Sequence, residues 1–143
     1  MPLAQRIFGD ERTCVSALSS SASECDSILD FNWWSEGDRL YFLDDDGNHM
    51  SIDAAYHAGD LTASVQSLGD ALSLAFADAN GTAQGVLAIG EGDAVMFDYS
   101  GTTYVAVSDD NPGYQSTGDA VVAVACDVSP TANGNLDPSL LFA

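Results

Sequence analysis

With 143 residues, 46% of them hydrophobic, the chain is large enough for one domain with a real core and too apolar for wholesale disorder. Twenty-two acids stand against three Arg and no Lys, a net charge of −19, so there is no basis for gripping nucleic acid or an anionic membrane surface. No apolar run reaches the roughly 18 residues that span a bilayer, so no membrane insertion is expected.

Residues 1–26 are polar and Ser-rich, with weak apolar spots at Ile7–Phe8 and Val15–Leu18. They read as an irregular N-terminal arm holding at most one strand. Residues 27–43 read as strand, turn (Ser35–Asp38), strand, because the runs on either side are β-prone. Residues 44–60 form an acidic loop with a short strand near Met50–Ile52. Between 61 and 79, Val65, Leu68, Leu72, Ala75 and Phe76 recur at helical steps and define one apolar face. Thr62 or Ser64 can cap that helix, and Asn80-Gly81 ends it.

From 85 to 125 strands are expected at Gly85–Ile89 and Ala94–Tyr99, followed by a hairpin of Thr103–Val107 with Ala120–Val124. Ser100-Gly101 makes a tight turn between Tyr99 and Thr102. Residues 127–143 read as a polar tail with an apolar end, Leu140–Phe142. The whole predicts an α+β fold, a mostly antiparallel, sandwich- or roll-like β-sheet with one helix packed around 62–79. The globular domain is 27–126, flanked by the arm 1–26 and the tail 127–143.

Eighteen of the acids are Asp and four are Glu, and the Asp residues cluster beside Gly, Asn and Ser in turn-like stretches. Short carboxylates in such loops can converge on a hard cation, which takes six to eight oxygen ligands. In the hairpin loop Asp109, Asn111 and Gly113 alternate, Gln115 follows and Asp119 closes. This predicts a calcium site; an ordinary turn uses the same residue types. A second loop places Asp44, Asp46 and Asn48 at alternating positions, with Asp53 to close it. It departs from an EF-hand: Gly47 comes one place early, Ala55 stands where the closing Glu belongs, and no helices flank it. Gly90–Asp93 reads as a plain acidic turn.

Three cysteines leave two readings open: Cys14 and Cys25 bridged across a small loop, or all three reduced. No Cys-x-x-Cys is present, which argues against structural zinc. Trp33 and Trp34 are neighbours on a strand, so one faces the core and the other is a candidate for contact with a partner protein or a sugar. His49 and His57 read as exposed loop histidines. No nucleophile elbow, P-loop or His-Glu-x-x-His occurs, and Asp30 with Asp38 reads as turn-flanking rather than as an acid–base pair. Catalysis is therefore not expected.

The stretch Ile28-Leu-Asp-Phe-Asn-Trp-Trp-Ser-Glu-Gly-Asp-Arg-Leu-Tyr-Phe42 resembles the segment that follows the β-roll repeats of RTX-type secreted proteins. Gly92–Val124, with Tyr99-Ser-Gly-Thr-Thr-Tyr-Val-Ala-Val and the Asp109–Asp119 loop, is similar to the C-terminal module of bluetail-type, RTX-like bacterial surface proteins. The resemblance covers roughly residues 26–125. It implies a non-catalytic, calcium-dependent, extracellular or cell-surface structural module that serves assembly or adhesion. It further implies protein partners, as a homo-oligomer or a larger assembly. The chain departs from the pattern in lacking the Gly-Gly-x-Gly-x-Asp repeats and in carrying three Cys. The start lacks the apolar core of a secretory signal. Those departures keep a second reading open, a structural protein of a tailed-phage virion such as a capsid decoration or tail component.

Overall fold

The computed structural model describes residues 3–8, 11–14, 26–31, 39–43, 48, 51–81, 85–108, 112–115, 119–126 and 134–142. They form β1 (Leu3–Phe8), β2 (Glu11–Cys14), β3 (Asp26–Phe31), β4 (Arg39–Leu43), β5 (Ala54–Asp60), α1 (Leu68–Ala77), β6 (Asp93–Tyr99), β7 (Thr102–Val107), β8 (Ala120–Cys126), β9 (Gly134–Leu136) and α2 (Pro138–Leu141). The strands make a three-stranded sheet, β2-β1-β4, and a six-stranded one, β3-β8-β7-β6-β5-β9. The fold is α+β and sheet-dominated, with mostly antiparallel pairing; β3 with β8 and β5 with β6 are the parallel pairs.

The large sheet is apolar on both faces, and period-two alternation sorts its side chains. Ala94, Met96, Val105, Val107, Val122 and Val124 face one core, closed by Leu40 and Phe42 of β4 and by Leu141 and Phe142. Val95, Phe97, Ala106 and Val121 face the other, closed by Ala71, Leu72, Ala75 and Phe76 of α1. The layers are therefore small sheet, large sheet, helix. Ten residues make too short a helix to persist alone in water, so its burial against β6 and β7 stabilises it.

The helix starts later than its apolar spacing predicts. Ser67, not Thr62 or Ser64, is the N-cap, its Oγ accepting from Asp70 N at 3.1 Å. Thr62 is engaged elsewhere: its N and Oγ1 donate to Asp60 Oδ1 at 2.9 and 2.6 Å, and its Oγ1 accepts from Ser100 N at 2.9 Å. That local side-chain bonding competes with helix. Ser100 and Gly101, at φ 51° and 80°, form the expected two-residue turn between β6 and β7, where both central residues need positive φ.

Several expectations are corrected. The arm contains two strands, β1 and β2, which pair with each other, and β1 pairs with β4 on its other side. β3 and β4 do not pair with each other but join different sheets. The strand expected near Met50–Ile52 lies later, as β5. Gly85–Ile89 is not a strand; it runs beside the end of α1, with Ala79 N donating to Leu87 O and Ile89 N to Phe76 O. His57 is no loop histidine: it lies on β5 and is 3% exposed. The apolar chain end enters the core, with Leu141 at 1% and Phe142 at 6% exposure.

Candidate functional site

Strand directions decide where the acidic turns meet. β5, β6, β8 and β3 begin at one edge of the large sheet, and β7 and β9 end there. Asp53, the turn Gly90–Asp93, Ser108 and Asp119 therefore share that edge, although they are far apart in sequence.

Backbone hydrogen bonds fasten them. Asp53 N donates to Gly92 O at 3.1 Å, and Gly92 N donates in turn to Ser108 O at 3.2 Å. Ser108 N returns a bond to Asp93 O at 3.0 Å. The acidic turn closes on itself, Gly90 N donating to Asp93 Oδ2 at 2.9 Å and Asp93 N to Gly90 O at 3.1 Å. A Cβ on Gly92 would stand 3.4 Å from Ser51 O, and Gly92 has φ 76°, so glycine suits this close approach. The turn that the sequence presents as plain is thus the piece joining the ends of both candidate metal loops.

The hairpin loop is pinned on both sides. Asp119 is fully buried, its Oδ2 accepting from Gln115 N. Asp119 N donates to Gln115 O at 3.1 Å, which makes the closure reciprocal. Gln115 Nε2 donates to Pro112 O at 3.2 Å, and Gly113 turns the chain at φ 79°. Tyr114 packs edge-on against Phe76 of α1, ring centres 5.6 Å apart at 80°, and so ties the loop to the helix layer.

Of the first expected calcium set, Gly113, Gln115 and Asp119 are brought into one loop; Asp109 and Asn111 lie outside the described residues. Of the second, Asn48 is exposed and Asp53 is exposed at the shared edge, while Asp44 and Asp46 lie outside the described residues. Among the described residues no three His, Cys, Asp or Glu side chains are grouped to hold a metal. The donor set of the hairpin loop is oxygen only, from Asp, Asn and backbone carbonyls, and that chemistry suits calcium rather than a transition metal. Trp33, Trp34 and Cys25 lie outside the described residues, and Cys14 sits on β2 opposite Gln5.

Two further carboxylates are held as local caps. Thr62's hydroxyl, then its backbone N–H, lowers the pKa of Asp60 below its ordinary 3.8. Ser139's hydroxyl, then its backbone N–H, with the Arg39 charge in addition, does the same for Asp137, the N-cap of α2. No family model, curated protein or solved structure matches this chain.

Proposed function

We propose that the protein is a non-catalytic structural module of an extracellular or surface assembly, in which calcium orders the hairpin loop. The reading follows the resemblance to RTX-like, bluetail-type modules. The observation that carries it is the fully buried Asp119 carboxylate at the base of an oxygen-rich loop, at an edge that also gathers Asp53, Glu91 and Asp93. Asp109, Asn111 and Asp119, with carbonyl oxygen from Gln115 and Gly113, would hold the ion. Bound calcium supplies positive charge where a chain of net charge −19 most needs it.

A ligand that binds only the folded state adds about 2.7 kcal/mol at a hundredfold excess over its dissociation constant. The test is a thermal melt of EDTA-treated protein with calcium titrated in and magnesium at equal ionic strength beside it. A calcium-specific rise in midpoint, lost in Asp119→Asn, is expected. An equal response to both salts would reduce the acidity to screened charge and overturn the reading.

A further inference from the structure

The C-terminal segment 134–142 is seated on the rest of the chain as a bound peptide would be. β9 adds to the edge of the large sheet through three residue pairs with β5, Gly134 with His57, Asn135 with Tyr56 and Leu136 with Ala55. Asp137 and Pro138 then turn the chain into α2, where the Asp137 carboxylate caps the turn through Ser139 N at 3.0 Å. Beyond it Leu141 and Phe142 enter the groove between the two sheets. Phe142 meets the Phe42 ring at 6.1 Å and bridges to Leu40. Arg39 Nε reaches Ser139 O at 2.7 Å and locks the register. A short strand on a sheet edge followed by side chains in a groove is a recurring mode of peptide recognition.

We propose that 134–142 is an exchangeable arm, and that its seat, the β5 edge with the Leu40–Phe42 groove, takes the same arm from a second copy of this chain. The proposal rests on the reading of the protein as an assembly module and names the partner. The occupant follows from the structure: the segment that fills the seat is this one, and every copy carries both halves. Reciprocal exchange makes a self-complementary interface that closes as a dimer without any new surface. Cis and trans docking then make the same contacts, so tether length and concentration choose between them. Gly134 stands level with Val122, four strand spacings across the sheet, and β8 runs on to Cys126, so the end of β8 and the start of β9 are at least about 19 Å apart at ~4.8 Å per spacing. The eight Cα steps from 126 to 134 reach about 27 Å when extended, and four steps reach about 14 Å. Removing four of the residues 127–133 therefore leaves the arm too short for its own seat.

The experiment compares the full chain with the variant lacking 128–131 by light scattering coupled to size exclusion, in reductant and moderate salt at micromolar protein. The full chain is expected as a monomer and the deletion variant as a dimer of doubled mass. Leu141→Asp with Phe142→Asp added to the deletion is expected to restore the monomer. A folded, monomeric deletion variant overturns the proposal. If the deletion variant precipitates, full-length Leu141→Asp/Phe142→Asp is titrated with a fluorescein-labelled peptide of sequence 134–143. Saturable binding, at least about tenfold tighter than to the unaltered chain whose own arm competes, is expected, and no binding overturns the proposal. The outcome is separable from the calcium reading: the groove reports through mass or peptide binding, and the loop through the calcium melt of Asp119→Asn.

Discussion

Asp119 tests whether the hairpin loop is latched by its own side chains before any cation acts. The carboxylate is fully buried and accepts the backbone N–H of Gln115, while its own N–H closes the loop on Gln115 O. In EDTA, Asp119→Ala removes the acceptor and leaves the Gln115 donor, half-buried, without its bond. Stranding such a donor costs about 1–3 kcal/mol. At about 2.1 cal/mol/K per residue, a chain of 143 residues unfolds with an entropy near 0.3 kcal/mol/K. A loss of about 2 kcal/mol therefore lowers the melting midpoint by about 6–7 °C. Asp119→Asn keeps an oxygen acceptor in place and gives up the charge-assisted part of the bond, so its cost is expected near half that of alanine. Calorimetry of both variants without divalent cations reads the difference. If Asn costs as much as Ala, the charge and not the hydrogen bond matters; if neither moves the midpoint by more than a degree or so, the latch does not exist.

At the opposite end of the sheet, Thr62→Val deletes the hydroxyl that joins Asp60 to Ser100 N; a loss of about 1 kcal/mol is expected in urea unfolding with an unchanged m-value. Ser100 carries φ 51°, which Asn tolerates better than Ser, so Ser100→Asn should raise the midpoint by about 2–4 °C; a fall would refute the turn assignment. Asp60 and Asp137 have folded pKa values below 3.8, so their contribution is present above that pH and is lost as pH falls through the lower folded values. Because acidification also reduces the −19 charge, low-salt stability should rise on mild acidification before the Asp60 and Asp137 contribution is lost below pH 3.8. Melts across pH 3–7 check this, and a monotonic fall from neutral pH would contradict it.

The late strands were legible because β6, β7 and β8 alternate side chains between two cores and carry Val, Phe and Tyr, while Ser100-Gly101 marks the turn. β5 was not: Ala-Ala-Tyr-His-Ala-Gly-Asp has weak strand preference, and its pairing with β6 and β9 supplies what local preference lacks. β1 and β2 were hidden by Gln5, Arg6, Glu11 and Arg12, polar residues that read as an arm. Gly85–Ile89 misled in the other direction, since a short apolar run lies as readily beside a helix as in a sheet. The docked chain end had left a signal, for Asp137 before Pro138 is a helix start and Leu141 and Phe142 follow it. Residue types alone pointed to the hairpin loop, but not to its neighbours. Only the parallel pairing of β5 with β6 brings Asp53 beside Gly92.

That pairing also explains how so acidic a chain keeps an apolar sheet. Among the described residues, β6, β7 and β8 bury side chains on both faces, and the carboxylates gather at the two ends of these strands. Asp53, Glu91, Asp93, Asp119 and Asp137 stand at one end; Asp60 and Asp98 are cross-strand partners at the other. Like charges set side by side destabilise unless something answers them. At the second end Thr62 donates to Asp60, and Thr103 Oγ1 donates to Asp98 Oδ1 at 2.6 Å. At the first end, Asp93, Asp119 and Asp137 take backbone N–H donors, while the side chains of Asp53 and Glu91 remain at the exposed rim. Hydroxyl and backbone donors alike satisfy a carboxylate's hydrogen bonding without neutralising its charge, and the first end gathers five of these carboxylates against two at the second. The repulsion left at that end is what a cation would relieve, so calcium should stabilise this edge and leave the Asp60–Asp98 end unchanged.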